Sequence, residues 1–310
     1  MKVTLIGGTG HIGTFLTRQL LDAGDEVTVV SSGRKPVPNY ENNRMSYVKF
    51  TYADMFADGS FEAFLKESKT DAVVDILQGN TSGLYNACLA SGVGQVVVCG
   101  SLWMFGRPKV VPTPEITQTP CPFDGYQSRY NDMLSAIELS KKDGISFSAV
   151  MPPNICGPGK IPLEGMGGRS IEVHRAHRRG EEVVLPFPGT NLVGPCDADD
   201  VARVFFCALK NSAAAAGEIF NAGSAYALTA EKFISTYADI HNTRIPVRYV
   251  SCEEYVKDIS PNLGANYHFT EHMCPDIRKA RQKIGYNPLY TSEQAMERAV
   301  RWMLDQGLLK

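Results

Sequence analysis

No stretch of this 310-residue chain approaches the roughly 18 consecutive apolar residues that a membrane-spanning helix needs. The opening "MKVTLIGGTG" is broken by glycines too early to form the apolar core of a signal peptide. The eight cysteines stand at 88, 99, 121, 156, 196, 207, 252 and 274 and include no CxxC pair. They read as reduced, mostly buried thiols of a cytoplasmic protein and not as a disulfide framework. A dominant charge is missing too. The 31 Lys and Arg nearly balance the 33 Asp and Glu, for a formal net charge of -2. That balance offers no general attraction to nucleic acid or to an anionic membrane. Internal repeats and low-complexity tracts are also lacking. A water-soluble cytoplasmic protein without nucleic-acid or membrane partners is expected.

What is present is a regular alternation. "KVTLIG", "EVTVVS", "SYVKFT", "DAVVDIL", "QVVVCGS" and "FSAVMP" read as strands, with helical patterns at "HIGTFLTRQLLDAG", "SFEAFLKES", "SGLYNACLASG" and 126–142. Strands that are apolar throughout and alternate with helices predict a parallel sheet covered on both faces. Beyond Pro152 the pattern changes to the Gly- and Pro-rich "PPNICGPGKIPLEGMGG". The expected fold class is α/β, a doubly wound parallel sheet with a smaller C-terminal part over its ligand crevice. Residues 1–160, completed by 190–225, would bind a dinucleotide. Residues 161–189 and 226–310 would cap it and hold the substrate.

The first strand runs into "GGTGHIG", which sets Gly7, Gly10 and Gly13 three apart before an amphipathic helix. Gly7 suits the tight turn, Gly10 a close backbone approach to a pyrophosphate, and Gly13 close helix–strand packing. A nucleotide site is expected there. An NAD-preferring site carries an acid at the end of the second strand. Here stand Ser31, Ser32, Arg34 and Lys35, hydroxyls and cations suited to an extra 2'-phosphate. NADP is therefore the expected cofactor, with NAD left open.

With these motifs and those that follow, the whole chain resembles the extended short-chain dehydrogenase/reductase family, the NAD(P)-dependent epimerase/dehydratase group with a Rossmann fold. "GGTGHIG" and "PPNICGPG" are the most specific matches; "DADDVARVF", "GEIFNAGS" and "DIRKARQKIGYNPLYTSEQAMERAVRWM" follow in the family's order. The resemblance implies a dinucleotide held by Gly7, Thr9, Gly10, His11, Ile12 and Gly13. Ser31, Ser32, Arg34, Lys35, Asp54, Met55, Leu77, Gln78, Pro153 and Asn154 would complete its site. It places the oxygen-holding residue at Ser101, in "VVVCGSLWMFG", and the acid/base at Tyr126, in "DGYQSRYND". It further implies a homodimer formed partly through the Tyr126 helix.

One letter departs from the pattern. The lysine that binds the ribose and lowers the tyrosine's pKa should stand four residues after Tyr126, where this chain has Tyr130. A tyrosine of pKa about 10 gives little phenolate at neutral pH, and a nearby cation lowers that by about 1–3 units. Tyr130 carries no charge. Three outcomes are open: Arg129 substitutes as the cation on the same helix face, Tyr126 stays protonated and acts as an acid, or the fold has given up this chemistry.

The sequence therefore predicts an NADP-dependent oxidoreductase, epimerase or dehydratase acting on a hydroxyl or carbonyl of a small, sugar-like substrate. Tyr126, Ser101, Arg129 and Tyr130 are the candidate catalytic residues. The alternative is a non-catalytic NADP sensor or regulatory protein of the same fold. Sugar-nucleotide members carry an arginine before "DADDVA" to hold a diphosphate. Here that stretch contains Val193 and no cation, and Asp197 stands where histidine is frequent. Cations for an anionic substrate could come from the stretch where Arg169, His174, Arg175, His177, Arg178 and Arg179 crowd together. No metal site is expected: HxxH (His174, His177) and the pair His268 and His272 lack a third ligand. Trp103 and Phe105 would wall the site beyond Ser101, Cys99 would be core, and Asp199 and Asp200 would cap a helix starting at Val201.

Overall fold

A computed structural model describes residues 1–33 and 42–310 of the chain. Its centre is a seven-stranded parallel sheet built from β1 (Lys2–Ile6), β2 (Glu26–Ser31), β3 (Met45–Lys49), β4 (Ala72–Asp75), β5 (Gln95–Cys99), β6 (Ser146–Met151) and β7 (Ile219–Asn221). The spatial order is β7-β6-β5-β4-β1-β2-β3, with β1 paired to both β2 and β4. β4 and β5 are buried at every position, as the unbroken apolar runs predict.

Helices cover both faces: α1 (His11–Asp22), α2 (Ser60–Ser68), α3 (Thr81–Ser91) and α4 (Asp124–Asp143) alternate with the strands. After α5 (Ile171–Arg179), α6 (Ala198–Lys210) returns to pack on α1. One apolar core lies between α1, α6 and the sheet, and a second lies between the sheet and α2–α4. A third, around Leu185, Phe233, Tyr237 and Met296, belongs to the C-terminal region. Val193, where the resemblance looks for a diphosphate-holding cation, is fully buried in this third core.

The start of α6 corrects one expectation. The helix begins at Ala198, and its cap is Asp197, whose Oδ1 accepts the Asp199 N–H at 2.9 Å. Asp199 and Asp200 lie inside the first turn instead. Asp200 accepts the Leu289 and Tyr290 N–H groups at 2.6 and 3.0 Å, fixing the chain before the helix Ser292–Asp305.

Asp197 is 0% exposed and also accepts from Arg298 Nε at 2.8 Å, which ties the C-terminal helix to the nucleotide-binding half. Gly157 passes so closely that a Cβ there would lie 2.7 Å from the Asp197 carboxylate, and its φ of +94 independently favours glycine. Removing one partner of a buried ion pair strands the other charge. Arg298→Met should therefore cost about 3 kcal/mol in urea unfolding, and Arg298→Met combined with Asp197→Asn should recover part of that loss.

Candidate active site

The sheet order reverses between β1 and β4, so a crevice opens at their carboxyl ends. A cavity of about 430 Å³ lies there, bordered by Gly7, Thr9, Gly10, Ser31, Ser32, Tyr52, Met55 and Leu77. Gly7 turns the chain at φ +86. Gly13 packs so tightly that an added Cβ would fall 2.2 Å from the Gly7 carbonyl oxygen. No side chain caps α1, so its first-turn amides are open toward an anion. These features fit a dinucleotide: the loop residues and the α1 N-terminus would hold its pyrophosphate, and Met55 and its neighbours its adenosine.

Other expected cofactor residues divide. Ile12 is buried beneath the loop, and Asp54 is exposed and does not border this cavity. Arg34 and Lys35 lie outside the described residues. His11 contacts the Gly157 carbonyl at 3.3 Å, and burial, then the charge of Arg169, lowers its pKa to about 4. Sequence reasoning missed Tyr52 and Asp75. Tyr52 donates to Asp75 Oδ2 at 2.6 Å and accepts from the Gly79 and Asn80 N–H groups, fixing the loop after β4. Burial lifts the Asp75 carboxyl to about 6.

Gln78 sits at the hinge between this cavity and a second. Its left-handed backbone (φ +59) is a costly conformation for a non-glycine residue. Its Nε2 donates to the Gly100 carbonyl at 2.6 Å, pinning the loop after β4 to the loop after β5. The second cavity, of about 250 Å³, brings together Gln78, Ser101, Tyr126, Pro153 and Asn154 from four distant stretches of chain. Trp103, Lys160, Arg169 and His268 complete its wall.

Ser101 caps a short 3-10 helix, Leu102–Phe105, by accepting the Trp103 N–H at 3.3 Å. Tyr126 lies in the first turn of α4, edge-on to Trp103 and Phe123 with ring centroids 6.0 and 6.1 Å away. The exposed Arg129 guanidinium is 5.9 Å from the centre of the Tyr126 ring. Burial raises the Tyr126 pKa, and the opposing pull of Arg129 is smaller.

Tyr130 requires a correction. It is 2% exposed and sits in the core beneath the site, edge-on to Phe105 at 5.9 Å, and its hydroxyl accepts from Thr117 Oγ1 at 3.2 Å. It does not border the cavity. Phe105 is likewise core and not cavity wall, whereas Trp103 faces the cavity. Cys99 is buried, and its thiol is pushed up to about 12 by burial, so it is no nucleophile.

The basic segment also separates. Arg175 and Arg178 donate to the Leu308 and Leu309 carbonyls, and Arg179 pairs with Glu181. Only Arg169, in the loop before α5, reaches the cavity. The pair His268 and His272 diverges as well: His272 accepts the Leu192 N–H, while His268 reaches the cavity.

Among the described residues no group of three or more His, Cys, Asp or Glu could hold a metal ion. His174 and His177 pack against Tyr237 with ring centroids 5.2 and 5.0 Å away. His174 Nε2 is 3.1 Å from the Pro162 carbonyl oxygen, whereas neither nitrogen of His177 has a partner. Burial lowers the two pKa values to about 4 and about 3.

A profile of the NAD dependent epimerase/dehydratase family matches residues 3–223. The chloroplast stem-loop binding protein of 41 kDa b from Arabidopsis thaliana is 24% identical, over 93% of this chain and 75% of that protein. The UDP-glucose 4-epimerase of Corynebacterium glutamicum is 22% identical, over 94% and 92%. Among solved structures, the UDP-glucose 4-epimerase of Thermotoga maritima with UDP-glucose superposes with a TM-score of 0.74 at 20% identity, covering 99% of both chains. The UDP-glucuronic acid 4-epimerase of Bacillus cereus with NAD gives 0.75 at 17% identity, covering 100% of both. The structural likenesses establish a shared fold.

The depressed pKa of His177 means that the unfolded chain takes up a proton there near pH 6.5 and the folded chain does not. Its contribution to stability is therefore lost as pH falls below about 6.5, by about 1.4 kcal/mol per unit down to about pH 4. His177→Phe, which also removes two unpaired buried nitrogens, should equal or exceed the wild type in stability at pH 7. Its advantage in urea melts should widen as pH drops toward 4.

Proposed function

The chain belongs to the NAD dependent epimerase/dehydratase family and is an NAD(P)-dependent enzyme of that kind; from that premise we propose that it reduces the carbonyl group of a small substrate, with Tyr126 as proton donor and Ser101 as the oxygen-holding partner. The supporting observation is the setting of Tyr126, packed edge-on to Trp103 and Phe123 with the exposed Arg129 guanidinium 5.9 Å from its ring centre. Burial raises its pKa further than Arg129 lowers it, so at neutral pH the side chain is a phenol. Epimerisation or alcohol oxidation begins with a base taking a hydroxyl proton, which a phenol cannot do. Carbonyl reduction needs the opposite, an acid ready beside the oxygen.

The residues along both cavities fit a dinucleotide, and a reduced nicotinamide bound there would supply hydride to the carbonyl carbon. Ser101 holds the carbonyl oxygen and polarises it. Tyr126 gives its proton to that oxygen as C=O becomes CH–OH, and the phenolate is reprotonated from water. Trp103, Phe123 and Tyr126 form an aromatic wall that restricts water around the reacting oxygen. Arg129 stabilises the transient phenolate from the solvent side. This reading uses Arg129 but not Tyr130.

We further propose NADP over NAD, on the hydroxyls of Ser31 and Ser32 beside the adenosine cavity and on Arg34 and Lys35 following them in sequence. The related epimerases act on sugar nucleotides. For this chain a diphosphate substrate is disfavoured, because buried Val193 occupies the place of the expected cation.

Titration of nicotinamide fluorescence should show tighter binding of NADPH than NADH; equal or absent binding would overturn the NADP assignment. Tyr126→Phe should lower carbonyl reduction by about 10²–10⁴-fold with NADPH affinity unchanged. The wild-type rate should be flat from pH 6 to pH 9, because the phenol keeps its proton over that range. A Tyr126→Phe variant with undiminished turnover would remove the tyrosine from the mechanism.

A further inference from the structure

Among the described residues the smaller cavity is one-sided in charge. Arg169 and Lys160 border it, and among the described residues around it there is no Asp or Glu. Arg169 is mostly buried and held by the backbone: Nη1 donates to the Ile161 carbonyl at 2.7 Å and Nη2 to the Ile155 carbonyl at 3.1 Å. Carbonyls orient the guanidinium but do not neutralise it. Among the described residues no carboxylate pairs with Arg169. The acid whose charge it does sense, Glu164, accepts the Met166 N–H instead. An unneutralised buried guanidinium beside a cavity is costly unless an anion joins it.

His268 adds a second recognition group. Asn154 Oδ1 accepts the Gly194 N–H at 3.2 Å, so the Asn154 amide nitrogen must be the donor to His268 Nδ1, at 2.7 Å. A ring nitrogen that accepts has no proton, so the neutral imidazole carries its proton on Nε2. Burial, then the charge of Arg169, holds the pKa near 3 and keeps the ring neutral. Nε2–H is thus a fixed donor on the ring that borders the cavity, with Trp103 packed 4.8 Å away.

The space of about 250 Å³ opens to solvent and suits the reacting end of a small substrate. Resting on the reading of this cavity as the catalytic one, we propose that the substrate is a small carbonyl compound bearing a carboxylate. Its anion is held by Arg169 and Lys160, and a neighbouring oxygen accepts from His268 Nε2–H. Arg169 is then the residue that selects the substrate by charge.

Calorimetric titration of the enzyme saturated with NADP⁺, using malonate and its neutral twin malonamide, tests this without turnover. Malonate should bind and malonamide should not. Arg169→Met should weaken malonate about tenfold or more. Lys160→Met, a change at an exposed residue, should weaken it severalfold. Arg169→Lys, which keeps the charge but not the fork, should fall between wild type and Arg169→Met. Equal binding of malonate and malonamide by the wild type, or malonate binding indifferent to Arg169→Met and to Lys160→Met, would overturn the proposal. So would a loss of NADP⁺ affinity in Arg169→Met as large as the loss for malonate, since the guanidinium would then serve the cofactor's pyrophosphate. If malonate binds as expected but no carbonyl compound is reduced, the reduction mechanism fails and the anion site stands. If neutral carbonyls such as butanal are reduced as fast as succinic semialdehyde, the anion site fails and the mechanism stands.

Discussion

A parallel sheet whose strand order reverses between β1 and β4 cannot be covered by helices at that point, and the rest of the site depends on this constraint. The connection from β1 leads away through α1 and the connection from β4 through α3, leaving an uncovered edge at the strand ends. Every strand of the sheet runs the same way, so each next loop delivers its residues to the same edge. Gly7 follows β1, Gln78 follows β4, Ser101 follows β5 and Asn154 follows β6. Residues nearly 150 positions apart thus meet without any local signal that they should. Close contact of Gly13 with Gly7 lets α1 start at this edge with its amides uncapped. The Gln78–Gly100 bond fixes the distance between the two halves of the crevice.

Whatever depends on periodicity or on strand ends was legible in the chain. The buried strands show as unbroken apolar runs and the glycine trio marks the first turn, whereas Ser101 and Tyr126 are singled out only by the family resemblance. What failed depended on partners. Helical spacing puts Tyr126 and Tyr130 on one face, but it does not say where that face stops being crevice and becomes core. Here the change falls within one turn, because Phe105 and Thr117 come up against Tyr130. Likewise Asp197, Asp199 and Asp200 are equally plausible caps by composition. The choice was made by where Arg298 and the 289–290 backbone reach them.

The basic segment carries the same lesson. Arg169, Arg175, Arg178 and Arg179 are indistinguishable as cations in the sequence. Three lie on α5 and are occupied by the last residues of the chain or by Glu181, and one precedes the helix and turns inward. His268 and His272 look like a pair at helical spacing, yet the helix Leu263–Thr270 ends between them and sends them to different partners. Neither separation is written in residue type. Both follow from where a helix begins or ends, the feature least sharply encoded in a sequence.

The proposed substrate and the proposed acid are linked by electrostatics. A cation on the tyrosine helix, as in the family's pattern, lowers the phenol's pKa and prepares a base. In this chain that position holds a buried, uncharged side chain, and the cations that border the cavity, the largely buried Arg169 and the exposed Lys160, belong to the loop formed by residues 155–169. They act on whatever occupies the cavity and not primarily on Tyr126, whose strongest opposing charge is the exposed Arg129. A carboxylate bound at Arg169 would itself disfavour a nearby phenolate and so help keep Tyr126 protonated until the carbonyl oxygen demands its proton. Moving the cation from the tyrosine to the substrate thus favours reduction, and it favours a charged substrate for the same reason.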